Sequence, residues 1–225
     1  MRAVLLLLAL FCVGCLPKKI PEFVPAHSRK VVVKLADSLG IITMYIPERY
    51  DTGFSWLHYS DCKPCHEMKC RFQSTLSEIQ MEDGYLWTEQ RDCFEQLTII
   101  YEPYDNPPPR HVRRMDTTGM YQNRAFGQHL REQKKYWRSN KQLVLDTCYN
   151  IYDRPLYATA IREYDADKKR YTYLLTAETF AWSREIEFKF KLVTDKQDSV
   201  SANFIKNAAE IIQTIRLSSP FSFGR

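Results

Sequence analysis

Between Glu185 and Leu192 apolar and charged residues alternate without a break: Glu-Ile-Glu-Phe-Lys-Phe-Lys-Leu. A period of two is the period of a β-strand with one dry face and one wet face. It places Ile186, Phe188, Phe190 and Leu192 on one side, and Glu185, Glu187, Lys189 and Lys191 on the other. No helix satisfies that pattern, so a sheet with a buried face is obligatory. A few residues later the period changes. Phe204, Ile205, Ala208, Ile211, Ile212 and Ile215 recur at spacings of one, three and four, which is one stripe of a helix. Ser201 is the expected cap, and the helix is expected to lie across the dry face of the sheet.

Further strands follow from β-branched and aromatic runs bounded by turn residues. A first hairpin is predicted from Lys30–Leu35 and Ile41–Ile46 about the turn Asp37-Ser38-Leu39-Gly40. Residues 48–66 read as a long connection. Short strands are predicted at Met68–Ser74, Tyr85–Thr88 and Leu97–Tyr101, and longer ones at Leu143–Tyr149, Pro155–Tyr164 and Arg170–Ala177. Pro103, Pro107, Pro108 and Pro109 exclude helix and central strand from the stretch around them. Residues 123–138 are predicted to be helical, with Asn123 as cap. The chain has 14 Tyr, 12 Phe and 4 Trp against 7 Gly, a balance that favours packed sheet over disorder. The expected fold class is therefore α+β, an antiparallel sheet packed by helices in a single domain over residues 30–216, with 217–225 as a tail.

The order of elements resembles the PsbP-like α/β/α sandwich: an amino-terminal hairpin followed by Tyr45-Ile46-Pro47-Glu48-Arg49-Tyr50, a central helical excursion, meandering strands and a closing amphipathic helix. The resemblance implies a non-enzymatic binding or assembly domain held outside the cytoplasm. It rests on topology, and no functional residue carries over with it.

The amino terminus supplies an address. Met1-Arg2 precedes twelve uncharged residues, Ala3–Gly14. A membrane-spanning helix needs about 20 apolar residues; a run this short suits the central segment of a signal peptide. The run ends Gly14-Cys15, and "apolar run, small residue, cysteine" resembles the lipobox of bacterial lipoproteins. Cys12 stands where leucine is usual in that motif. The resemblance implies that residues 1–14 are removed and that Cys15 carries fatty acyl groups such as palmitate. It implies anchorage in a bacterial envelope, on the periplasmic face of the outer membrane. Ordinary secretion is the rival. Residues 15–29, with Pro17, Pro21 and Pro25, then form a semi-extended tether.

Beyond Cys12 and Cys15 five cysteines remain: Cys62, Cys65, Cys70, Cys93 and Cys148. In an oxidising compartment the leading reading is structural disulfides among Cys62, Cys65, Cys93 and Cys148, with Cys70 buried in a strand. An odd number leaves at least one thiol. The segment Cys62-Lys63-Pro64-Cys65-His66 admits other chemistry. C-x-x-C-H is the attachment pattern of covalent haem, with His66 as the axial ligand. The same segment locally resembles a thioredoxin-like redox site. Cys62, Cys65, His66 and Cys70 are also soft donors at a spacing compatible with zinc. The leading reading has no cofactor; haem and zinc are its alternatives.

The precursor's net charge of +5 is mild and does not point to nucleic acid. The charge is concentrated in residues 110–141, where nine Lys and Arg face only Asp116 and Glu132. Within it, Arg131, Lys134, Lys135, Trp137 and Arg138 form a candidate docking surface for an envelope protein, anionic lipid or glycan. The bland alternative is a solvated face balancing the acidic stretch at 78–95. No serine elbow, zinc-protease motif or phosphate-cradling loop is present in the sequence. The expected function is a non-catalytic, lipid-anchored envelope protein that binds or scaffolds another component. The alternative is an extracytoplasmic redox or haem protein built on Cys62, Cys65 and His66.

Overall fold

The computed structural model describes residues 23–36, 39–59, 66–77, 79, 93–103, 135, 142–151, 154–181 and 184–218. The signal segment, Cys15, the predicted strand at 85–88 and all of the predicted helix at 123–138 except Lys135 lie outside them. The described strands are β1 (Ser28–Lys34), β2 (Ile41–Pro47), β3 (Thr52–His58), β4 (Glu67–Gln73) and β5 (Phe94–Tyr101). They continue as β6 (Gln142–Ile151), β7 (Arg154–Asp165), β8 (Arg170–Ala181) and β9 (Arg184–Thr194). Helix α1 (Ser199–Gln213) and the short β10 (Arg216–Ser218) close the chain.

All strand pairs are antiparallel, in two sheets. One has the order β1-β2-β10 and the other β3-β4-β5-β9-β8-β7-β6. This overturns the α+β expectation and the α/β/α sandwich with it. Among the described residues α1 is the one complete helix, with Lys135 a single helical residue elsewhere, and the fold is mainly β. The physical reason lies in the layer that covers the dry face. Val31, Val33, Ile42, Met44 and Ile46 turn the first hairpin into a second apolar sheet. That sheet and α1 together close a core that helices alone were expected to close.

The alternation in β9 is realised as read. Ile186, Phe188, Phe190 and Leu192 are all buried, and register places Thr179, Ala177, Leu175 and Tyr173 of β8 beside them. Burying each large apolar side chain contributes roughly 1.5–3 kcal/mol. Helix α1 lies on this face, buries Phe204, Ala208, Ile211 and Ile212, and sets Phe204 edge-on to Tyr173 with ring centroids 6.3 Å apart. Its cap is Asp198, not Ser201. The Asp198 carboxylate accepts from the backbone N–H groups of Val200 and Ser201 at 3.0 Å, and Ser201 Oγ accepts in return from the N–H of Asp198. Ser201 is thus the third helical residue of a reciprocal capping box.

Residues 52–58, expected within a loop, form the edge strand β3. Gly53 and Trp56 obscured the pattern. Gly53 sits against the Phe72 ring, where a Cβ would come within 2.9 Å of it, so the glycine makes room for a buried aromatic. At the other end, Leu217 and Ser218 extend the paired structure into the stretch read as a tail. Gly40 adopts φ +125°, and a Cβ there would lie 2.3 Å from the Ser218 carbonyl oxygen. A salt bridge ties the hairpin to the large sheet: the Arg49 guanidinium donates to Glu95 at 2.5 and 2.9 Å. The buried Tyr50 hydroxyl donates to the same carboxylate at 2.9 Å. Burial, with Glu95 beside it, holds the Tyr50 phenol well above its ordinary pKa.

Candidate functional site

Strand register sorts the residues that point away from the core of the seven-stranded sheet. One row runs Phe54, Arg71, Thr98, Lys189, Thr176, Thr159 and Asp146 across β3, β4, β5, β9, β8, β7 and β6. The next runs Trp56, Lys69, Ile100, Glu187, Glu178, Tyr157 and Cys148. Although this is the outward face, it is not simply wet. Arg71, Gln96, Thr98, Thr159, Ile161 and Glu178 are buried on it.

A groove of about 280 Å³ crosses β7, β8 and β9 here. Ile161 and Leu174 give it apolar walls, Thr159 and Thr176 give hydroxyls, and Glu178, Glu187 and Lys189 give charge. Glu178 and Glu187 are direct cross-strand neighbours, an arrangement that like charges disfavour. The Lys189 ammonium lies 3.1 Å from Glu187 and offsets part of that repulsion. The volume falls near the lower bound of small-molecule pockets; it suits one inserted side chain or a small polar ligand.

Toward β3 the same face becomes aromatic and cationic. Phe54 and Trp56 stack with centroids 5.4 Å apart, and the Arg71 guanidinium lies 4.9 Å from the centre of the Trp56 ring. Arg71 Nε donates to Thr98 Oγ1 at 3.1 Å. Lys191 covers the Phe94 ring at 5.3 Å. These contacts fix long cationic side chains in place, so that less rotamer freedom remains to be lost when a partner docks.

Of the residues singled out from sequence, Cys148 lies on this face at its β6 edge, and the others are either away from it or outside the described residues. Cys15, Cys62, Cys65, Arg131, Lys134, Trp137 and Arg138 lie outside the described residues; Lys135 is helical and exposed. His66 immediately precedes β4, half-buried, with its ring edge-on to Tyr59 at 5.1 Å. Cys70 points into the core beside Phe72, and burial raises its thiol pKa. His66 and Cys70 are four residues apart on an extended chain, about 13 Å, which is too far to share one zinc ion with bonds near 2 Å. Cys93 and Cys148 are exposed thiols. Their strands β5 and β6 are separated by β9, β8 and β7, about 19 Å at sheet spacing, so they do not pair with each other. Cys93 Sγ instead donates to Asp195 Oδ1 at 3.5 Å. Among the described residues no cluster of three metal-ligating side chains occurs, and no helix is long and apolar enough to cross a membrane.

The groove residues went unnoticed in the sequence because their signal is not a motif. Thr159, Ile161, Leu174, Thr176 and Glu178 are alternate positions on two strands, and only register brings them beside Glu187 and Lys189.

No protein-family description matches the chain, and no curated protein matches it. Among solved structures, the solution structure of cyanobacterial PsbP (CyanoP) from Synechocystis sp. PCC 6803 superposes with a TM-score of 0.40 and 11% identity, covering 91% of this chain and 98% of that one. A likeness of that degree assigns neither family nor function.

Proposed function

We propose that this chain is a non-catalytic binding protein, anchored outside the cytoplasm by lipid on Cys15, which holds another envelope component against the outward face of its seven-stranded sheet. The observation that carries the binding part is the groove across β7, β8 and β9, on the same face as the Phe54–Trp56–Arg71 strip. Apolar walls, hydroxyls and fixed charges on a broad rigid sheet are the composition of a protein-docking surface with a central anchor pocket. The anchoring part is supported by the apolar run ending Gly14-Cys15.

A photo-crosslinking residue in place of Thr176, in the native envelope, tests the docking face. The expected result is one dominant crosslinked envelope component, lost when Thr159→Arg fills the groove, and absent from the same probe at Ala202 on the exposed side of α1. Equal crosslinking from Ala202 overturns the reading. Intact mass of the membrane-extracted protein tests the anchor: acyl mass on a chain beginning at Cys15 is expected, and an unmodified terminus refutes it.

A further inference from the structure

The seven-stranded sheet has two end strands, β3 and β6, and no described strand lies beyond either. An end strand turns the N–H and C=O groups of alternate residues away from its neighbour, which makes a template for another strand unless something blunts it. The edges of this molecule are blunted unequally. Strand β1, at one end of the small sheet, carries Arg29, Lys30 and Lys34, and β10 at the other end is three residues long. Strand β3 has seven residues with Gly53 among them, and glycine weakens a strand. Strand β6 has ten residues, Gln-Leu-Val-Leu-Asp-Thr-Cys-Tyr-Asn-Ile, with no Pro, Gly, Lys or Arg. Its register with β7 slips between Leu143 and Leu145, then runs unbroken from Leu145 to Ile151. Asp146, Cys148 and Asn150 are exposed on its outward side. Leu145, Tyr149 and Ile151 point the other way and are half-buried at the rim of the core.

We infer that β6 pairs antiparallel with β6 of a second copy of this chain, about a twofold axis at Cys148, which joins the two large sheets into one. Three observations select a second copy as the occupant. The regular run from Leu145 to Ile151 has Cys148 at its middle, so pairing the run with itself uses every residue of it. That register sets Leu145 opposite Ile151 of the second copy and Thr147 opposite its Tyr149, which carries the half-buried rim of the core across the junction. The only charge of the strand, Asp146, then faces Asn150 of the second copy, so that no charge meets its like. A carboxylate accepts at about four sites, and Asp146 can take a bond from that amide beside the contact it already makes.

A twofold contact of this kind is isologous: it closes on itself and stops at two copies. The axis stands perpendicular to the sheet, so both outward faces, each with its groove, look the same way. The two Cys148 residues meet at the axis on the exposed side. Directly opposed residues of antiparallel strands have α-carbons about 4.5–5.5 Å apart, within the span of a disulfide. Cys148 is therefore a reporter of the contact. The inference is independent of acylation at Cys15 and of what the groove binds.

The test uses the full chain as isolated from its own cells, in mild detergent. Sedimentation should show a concentration-dependent dimer. Oxidation by copper phenanthroline in air takes two electrons and two protons from each pair of thiols, and it should yield a peptide linked from Cys148 to Cys148. Each chain has one Cys148, so that species joins two copies. Cys93 is exposed as well and serves as the collision control. Asn150→Asp sets carboxylates opposite each other at both symmetric positions and should weaken the dimer roughly tenfold. Asn150→Lys sets an ammonium opposite Asp146 and should tighten it by a similar factor. Residue 150 is exposed, so both variants keep the fold of the single chain. A monomer at every concentration overturns the inference. So do a Cys93–Cys93 link in equal yield, the two substitutions acting in the same direction, and Cys148 linked chiefly to a different protein.

Discussion

The two faces of strand β9 differ by one residue in register and by nearly everything in physics. Phe188 and Phe190 are buried in the core shared with α1 and the small sheet, whereas Glu187 and Lys189 line an open groove. The first face is interchangeable in kind: any set of apolar side chains of the right volume fills it. The second is particular, because Glu187 touches Lys189 and faces Glu178 across the ladder. Stability is written on one side of the strand and recognition on the other.

The largest effect that breaks this comparison is expected from the dry face. Phe188→Ala should destabilise the protein by about 3–5 kcal/mol, read as a shift of the urea midpoint. Tyr50→Phe comes next. It removes the buried hydroxyl that donates to Glu95 but leaves Arg49 on the same carboxylate, and a loss of about 1–2 kcal/mol is expected in the same measurement. On the groove side, Lys189→Ala removes the partner of Glu187 and should cost about 1 kcal/mol, well below Phe188→Ala, while lowering crosslinking from position 176. A loss equal to that of Phe188→Ala would abolish the distinction between the faces. The smallest effect concerns pH. Hydrogen bonds from the Ser201 and Val200 backbone hold the Asp198 carboxyl below its ordinary pKa of 3.8. Its contribution to stability is therefore complete above that value and fades as pH falls through the folded pKa. Wild type and Asp198→Asn should show a stability difference at neutral pH that shrinks in acid denaturation curves.

What the sequence disclosed follows from which signals are local. The alternation at 185–192 is complete within β9, and the stripe from Phe204 to Ile212 is complete within α1, with Ile215 just beyond its end. The cap was misplaced by three residues because Ser201 and Asp198 both serve the same turn, and only geometry ranks them. The fold class was missed for a different reason. The hairpin at 30–46 was recognised, but nothing in its residues says that it covers the large sheet instead of extending it. The groove needs three strands in register, so it leaves no trace along any one of them. Cys70 is core packing, as its place in a strand leads one to expect, and His66 makes a ring contact with Tyr59.

Strand β10 carries one more consequence. Arg216 pairs with Thr43, and the Ser218 hydroxyl donates to the Ile41 carbonyl across 177 positions of sequence. The small sheet is thus begun by the first described strand and finished by the last described strand. Until residue 218 is available β2 has one bare edge, and Gly40 has no carbonyl to approach. Contacts so distant along the chain form late and slowly. The small sheet therefore cannot be completed until nearly all of the described chain has been made.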